Sequence, residues 1–144
     1  EYQVPRVDIL HDVGNSLNPA IDRGQIEGGF LQGMGWLTSE ELWWNEDGAL
    51  QTHAPSTYKI PTCHDWPADV RLSFFESGGN REETIYRSKA VGEPPLMLAI
   101  SVFHALKDAI ASVAEAGVSP RLNAPATPEA VLMALEDVKW RTTP

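Results

Sequence analysis

The chain predicts an α+β domain: a small mixed sheet packed by two long helices, with one short helix at the C-terminal end. Three observations support this. Two short apolar runs, residues 7–13 and 70–75, have strand length and are bounded by turn clusters. Two longer stretches, 22–43 and 94–116, carry apolar residues at helical spacing or nearly all round. Thr127-Pro128-Glu129 then sets cap, first-turn proline and acid in the order that opens a helix.

Taken in order, the opening Val4-Pro5-Arg6-Val7-Asp8-Ile9-Leu10 reads as a strand continuing to residue 13. A first residue of Glu1, leading straight into a strand, is how a piece of a longer polypeptide opens. Asn15-Ser16-Leu17-Asn18-Pro19 is a turn cluster. Asp22 is placed to cap a helix running to about Trp43, with Ile26, Phe30, Met34 or Leu37, and Leu42 near one face. Asn45-Glu46-Asp47-Gly48 is a turn, and Leu50 to Tyr58 holds a short strand or an ordered loop at Pro55-Ser56-Thr57-Tyr58. Val70 to Phe75 is the next strand, Ser77-Gly78-Gly79-Asn80 a turn, and Thr84 to Tyr86 a further short strand. The second long helix runs from about Pro94 to Ala116, buried over its apolar first half and stopped at Gly117. Residues 117–128 form an extended linker, and the last helix ends near Lys139.

At 144 residues the chain can bury one real core. A net charge of −9 argues against nucleic acid or an anionic membrane as partner. The most apolar stretch, Pro94 to Leu106, falls short of the ~18 residues a bilayer span needs. The single Cys63 excludes an internal disulfide and suits a reducing, cytoplasmic setting. His11, His53, His64 and His104 are scattered, and Cys63-His64 has no second pair to complete a zinc site, so no metal ligands are assigned. His104, inside the apolar helix, reads as a hydrogen-bonded interior residue. Gly28 to Gly33 has P-loop spacing but runs on into Met34-Gly35. No GxGxxG follows a strand, and no serine sits in a GxSxG setting.

Two segments carry candidate chemistry. In Ser88-Lys89-Ala90-Val91-Gly92-Glu93-Pro94-Pro95-Leu96 the double proline reads as a helix start, which puts Glu93 at or beside the N-cap. Negative charge is favoured at that end, and Gly92 leaves room for a ligand or backbone to come close. An ionised carboxylate on a rigid turn is what a general base requires; a first-turn glutamate that merely stabilises its helix has the same sequence. The second segment, 24–35, holds five glycines. Each gives up roughly 0.8–1 kcal/mol relative to alanine in a helix, about 4–5 kcal/mol together. Either a ligand lies over a glycine floor edged by Gln25 and Gln32, or another helix packs closely there.

These two segments, together with Asn15 to Asp22, Pro55 to Pro61 and Ala124-Pro125-Ala126-Thr127-Pro128-Glu129, closely resemble the C-terminal part of the molybdenum-cofactor-binding large subunit in the xanthine dehydrogenase/aldehyde oxidase family. More narrowly, they look like the molybdenum-cofactor-binding subunit of the bacterial xanthine dehydrogenase branch. The resemblance implies that residues 1–116 are the C-terminal portion of a molybdopterin-binding domain, with 117–144 a linker and helix packed on it. It implies that Glu93 is a general base taking a proton from the hydroxyl on molybdenum. Gln25 and Gly92 would lie at the molybdenum–molybdopterin cofactor. The reaction implied is oxidation of xanthine or hypoxanthine toward urate, with electrons leaving through iron–sulfur clusters and FAD to NAD. Those centres would lie elsewhere, so the partners implied are the remainder of the large subunit, an iron–sulfur/FAD subunit and a purine, and an oligomer is expected. The chain alone is expected to be inactive. Two other readings remain: an aldehyde or N-heterocycle oxidoreductase of the same family, or a stand-alone binding module without chemistry.

Overall fold

The computed structural model describes residues 3–76, 78–114 and 117–142. Strand β1 (Arg6–His11) and strand β2 (Asp69–Phe74) pair in parallel, with Ile9 opposite Leu72. A parallel pair needs a long crossover, and helix α1 (Pro19–Thr38) lies within it. Ile9 and Leu72 face inward, while Arg6–Asp8 and Arg71–Asp69 pair at the solvent-exposed surface. Beyond β1, an antiparallel bridge joins Gly14 to Ser88. The α+β expectation holds, but the sheet is two parallel strands and not mixed, because the antiparallel Gly14–Ser88 bridge stands isolated outside it. The start of β1 agrees with its sequence, and its end falls two residues short of residue 13.

Helix α1 begins earlier and ends earlier than expected. Asn18, not Asp22, is the cap: its Oδ1 accepts the Ile21 N–H at 3.2 Å, and Pro19 takes the first position. Asp22 instead accepts the Ser16 hydroxyl. At the other end the Gly35 carbonyl accepts the N–H of both Ser39 (3.0 Å) and Glu40 (2.9 Å), which closes the helix. Ile26, Phe30 and Met34 are buried as their spacing predicts, and Leu37 packs partly against them. Leu42 and Trp43 lie beyond the helix and are more than half exposed. Residues 50–58 form turns, with one bridge from Leu50 to Trp44, rather than a strand.

The expected strand at 84–86 is a 3₁₀ turn, Ile85–Arg87, closed by Arg87 N–H to the Thr84 carbonyl. The long second helix is two pieces, a 3₁₀ segment at Pro94–Ala99 and helix α2 (Ile100–Ala111). Pro94 and Pro95 bring no N–H, and the Leu96 N–H reaches back only three residues to the Glu93 carbonyl (3.0 Å). The expected end at Ala116 and the turn residue Ser77 lie outside the described residues. The apolar first half is buried only on one side: Pro95, Ala99 and Val102 are buried, whereas Met97 and Ile100 are exposed. His104 is exposed too, its ring edge-on to Phe103, so it is not an interior residue. Pro94–Ala111 is 18 residues at mean hydropathy 1.2, long and apolar enough by length and composition to cross a membrane, contrary to the count from sequence. Its buried side, however, packs on α1.

Helix α3 (Pro128–Thr142) starts where predicted, with Thr127 Oγ1 accepting the Ala130 N–H at 3.2 Å. Two apolar clusters result. The larger joins β1, β2, α1, the 3₁₀ segment and Val102. The smaller joins Ile110, Leu122, Ala126, Ala134 and Val138. Leu106 packs partly against both. The linker also ties back to α1, the Ala126 N–H donating to the Leu37 carbonyl at 2.7 Å.

Candidate active site

The turn bearing Glu93 is held at both ends. Upstream, the segment ending at Lys89 is fastened to the end of β1. The Lys89 N–H donates to the Val13 carbonyl (2.9 Å), and its ammonium donates to Asp12 Oδ2 (2.6 Å). The other Asp12 oxygen accepts the Gly14 N–H at 2.9 Å. Gly14, at φ +62°, lies so close that a Cβ there would stand 2.5 Å from the Arg87 carbonyl oxygen. Tyr86 and Arg87 both adopt left-handed backbone, at φ +51° and +59°. Such residues cost on the order of 1–2 kcal/mol each. The turn they make aims the Arg87 carbonyl at two donors, the backbone N–H groups of Asn15 (3.1 Å) and Asn80 (2.8 Å).

Downstream, the 3₁₀ segment lies against α1 where glycines remove the side chains. A Cβ on Gly29 would stand 2.8 Å from Pro95 Cβ, and one on Gly33 would stand 2.3 Å from the Leu96 carbonyl oxygen. Gly29 faces Pro95 while Gly33, one turn on, faces Leu96 and Ala99, so the two segments advance in the same direction. One turn back along α1 is Gln25, and two residues back from Pro95 is Glu93. That register sets the two residues toward the same end of the contact.

Glu93 occupies the position before the 3₁₀ segment, but its side chain caps nothing. It is exposed, and no hydrogen bond or ion pair engages its carboxylate among the described residues. Gln25 and Gln32 are exposed as well, with no side-chain hydrogen bond among the described residues. The five glycines divide between the two readings of the sequence. Gly29, Gly33 and Gly35 are packing positions, whereas a Cβ on Gly24 or Gly28 would meet nothing within 4 Å. Gly92 is likewise open, so backbone packing does not require it.

A cleft of about 290 Å³ runs along this face of α1, lined by Gly28, Leu31, Gln32, Trp36, Glu40, Ile60 and Pro61. Glu40 is buried there, and its hydrogen bond holds the Tyr58 phenol above its ordinary pKa. A larger groove of about 550 Å³, between α2 and residues 118–120, includes none of the Gln25, Gly28, Gln32 or Glu93 positions. Among the described residues no group of three or more His, Cys, Asp or Glu side chains is placed to hold a metal ion. Sequence reasoning missed the link from Asp12 to Lys89, for which a separation of 77 residues leaves no signal.

Comparison with known proteins identifies the family of the fold. Residues 1–67 match the family described as a molybdopterin cofactor-binding domain. Xanthine dehydrogenase/oxidase of Felis catus is 51% identical over 139 residues, covering 92% of this chain and 10% of that protein. Aldehyde oxidase 1 of Bos taurus is 47% identical over 135 residues, again covering 92% of this chain and 10% of the relative. The structure of quinoline 2-oxidoreductase from Pseudomonas putida 86 superposes with a TM-score of 0.77 at 30% identity, covering 90% of this chain and 16% of that one. The chain thus spans about a tenth of the length of the curated relatives it matches.

Proposed function

The chain belongs to the xanthine dehydrogenase/aldehyde oxidase family as part of its molybdopterin cofactor-binding domain, and from that premise we propose that it serves a molybdenum hydroxylase oxidising xanthine and hypoxanthine toward urate. The observation carrying the proposal is Glu93: a carboxylate without partners among the described residues, on a turn fastened at both ends, at the open end of the glycine contact. The residues suit the cofactor. Gly24, Gly28 and Gly92 are open, and the Gln25 and Gln32 amides are free to bond a polar group. When bound, molybdenum–molybdopterin supplies the two-electron acceptor and delivers a water-derived oxygen to carbon.

Glu93 would act as general base, its carboxylate taking up the proton given off when an electron-poor ring carbon is hydroxylated. Among the described residues nothing competes for its lone pairs, so proton transfer there requires no internal hydrogen bond to break. Gln25 presents amide donors and a carbonyl to the cofactor, and Gly92 lets backbone and cofactor approach. In this reading residues 1–116 are the C-terminal portion of the cofactor-binding domain, and 117–144 are the linker and helix packed on it. The purine clamp lies in the remainder of the large subunit, so this chain alone is inactive. Electrons pass through iron–sulfur clusters and FAD of a partner subunit to NAD, in an oligomeric cytoplasmic enzyme of the bacterial type. The cytoplasmic placement rests on the lone, exposed thiol of Cys63.

Comparing kcat/KM for xanthine and an aromatic aldehyde in the complete enzyme tests the substrate class. Preference for xanthine is expected. Preference for the aldehyde selects the second reading, an aldehyde or N-heterocycle oxidoreductase, for which the 47% identity to aldehyde oxidase 1 is the support, against 51% to xanthine dehydrogenase/oxidase. Gln25→Ala should lower molybdenum and pterin content or the rate at full content. If both stay unchanged, Gln25 has no role at the cofactor.

A further inference from the structure

We propose that the Asp12–Lys89 ion pair is a latch that sets the position of the Glu93 carboxylate, making Lys89 a positioning residue for proton transfer. The inference rests on the reading of Glu93 as base. Lys89 lies four residues before Glu93 and carries two bonds to the end of β1, one from its backbone and one from its ammonium. Asp12 divides its carboxylate between that ammonium and the Gly14 N–H, so one side chain ties the strand end, the Gly14 turn and the Glu93 segment together. Between Lys89 and Glu93 only Val91 is buried, and Gly92 is open. Upstream restraint on the carboxylate therefore comes from the Lys89 backbone bond to Val13, the latch and one apolar side chain, and of the three only the latch bonds through the Lys89 side chain.

An ion pair about one-third exposed on each side adds little to global stability. What it does is fix a geometry, and catalysis is sensitive to small displacements of the reacting group. Lysine suits the task as a compact point charge reaching one carboxylate oxygen. The effect of removing it should therefore fall on the chemical step.

In the complete enzyme, Lys89→Met is expected to lower kcat about 10- to 100-fold, with KM and molybdenum content near wild type. Hydrogen–deuterium exchange should speed up across residues 88–93. Lys89→Arg should retain more of the rate. In a Glu93→Gln background, Lys89→Met should cause no further loss, because the latch acts through Glu93. Should Lys89→Met fail to fold, Asp12→Asn keeps the size of the side chain and reads the same effects. Wild-type kcat and exchange in Lys89→Met overturn the proposal, as does its full loss added on top of Glu93→Gln. A different outcome sinks the base reading: wild-type turnover in Glu93→Gln itself. The exchange experiment then decides the latch alone, and unchanged protection of residues 88–93 rejects it.

Discussion

Glu93→Gln in the complete enzyme is expected to lower turnover by about 10²–10⁴-fold, the range a positioned general base contributes. Glutamine keeps the size and the hydrogen-bonding reach of glutamate but cannot take up the proton. The side chain is exposed and bonds to nothing among the described residues, so the substitution should leave the melting temperature unchanged. Molybdenum and pterin content should stay at the wild-type level, because Glu93 is assigned to the proton and not to holding the cofactor. Turnover measured beside metal analysis checks this. A near-normal rate rejects Glu93 as the base; a slow enzyme that has also lost molybdenum would make it a cofactor-holding residue instead.

The second large effect is expected at Gly33→Ala. Alanine is the better helix former by roughly 0.8–1 kcal/mol, so propensity alone predicts stabilisation. The added methyl, however, would stand 2.3 Å from the Leu96 carbonyl oxygen and 2.8 Å from Ala99 Cβ. The first of these is backbone, which cannot rotate aside, so the 3₁₀ segment must move. Overpacking of this kind costs typically 1–3 kcal/mol, and that outweighs the propensity gain. The same movement would carry Glu93 away from its place, so kcat should fall as well. Gly24→Ala is the contrast, since its methyl would meet nothing within 4 Å and its stability should hold or rise. Thermal denaturation of both variants decides the matter. If Gly33→Ala melts as high as Gly24→Ala, the close packing described here is wrong.

That pair of glycines shows how far the sequence could be read. Periodicity placed Ile26, Phe30 and Met34 in the core, because helical spacing and burial are linked directly. The glycines between them stayed ambiguous, since what a missing Cβ would meet is a tertiary fact. Gly29 and Gly33 proved to be packing sites, whereas Gly24 and Gly28 are open. Asn18-Pro19 reads in the sequence as part of a turn, with Asp22 as the cap, because the residue types that make turns also start helices; the structure puts the start of α1 at Asn18-Pro19. The double proline marked the start of a helix without showing that two missing N–H groups would draw its first six residues into 3₁₀ form. The motifs of Glu93 and Gln25 are local, which is why the sequence offers them as candidates. Asp12 and Lys89 could not be paired, since only the fold brings them within 2.6 Å.

Helix α2 sits between two apolar clusters, with Val102 in one, Ile110 in the other and Leu106 touching both. Stability in such a chain need not be a single quantity. The cluster under α3 is built largely on alanine and valine, so it holds less apolar volume than the one under β1 and α1. It can open as a separate cooperative unit while the larger cluster stays closed. Both fastenings of the Glu93 turn, at the end of β1 and on the glycines of α1, belong to the larger unit. Fraying at the C-terminal end is thereby decoupled from the geometry of the Glu93 turn.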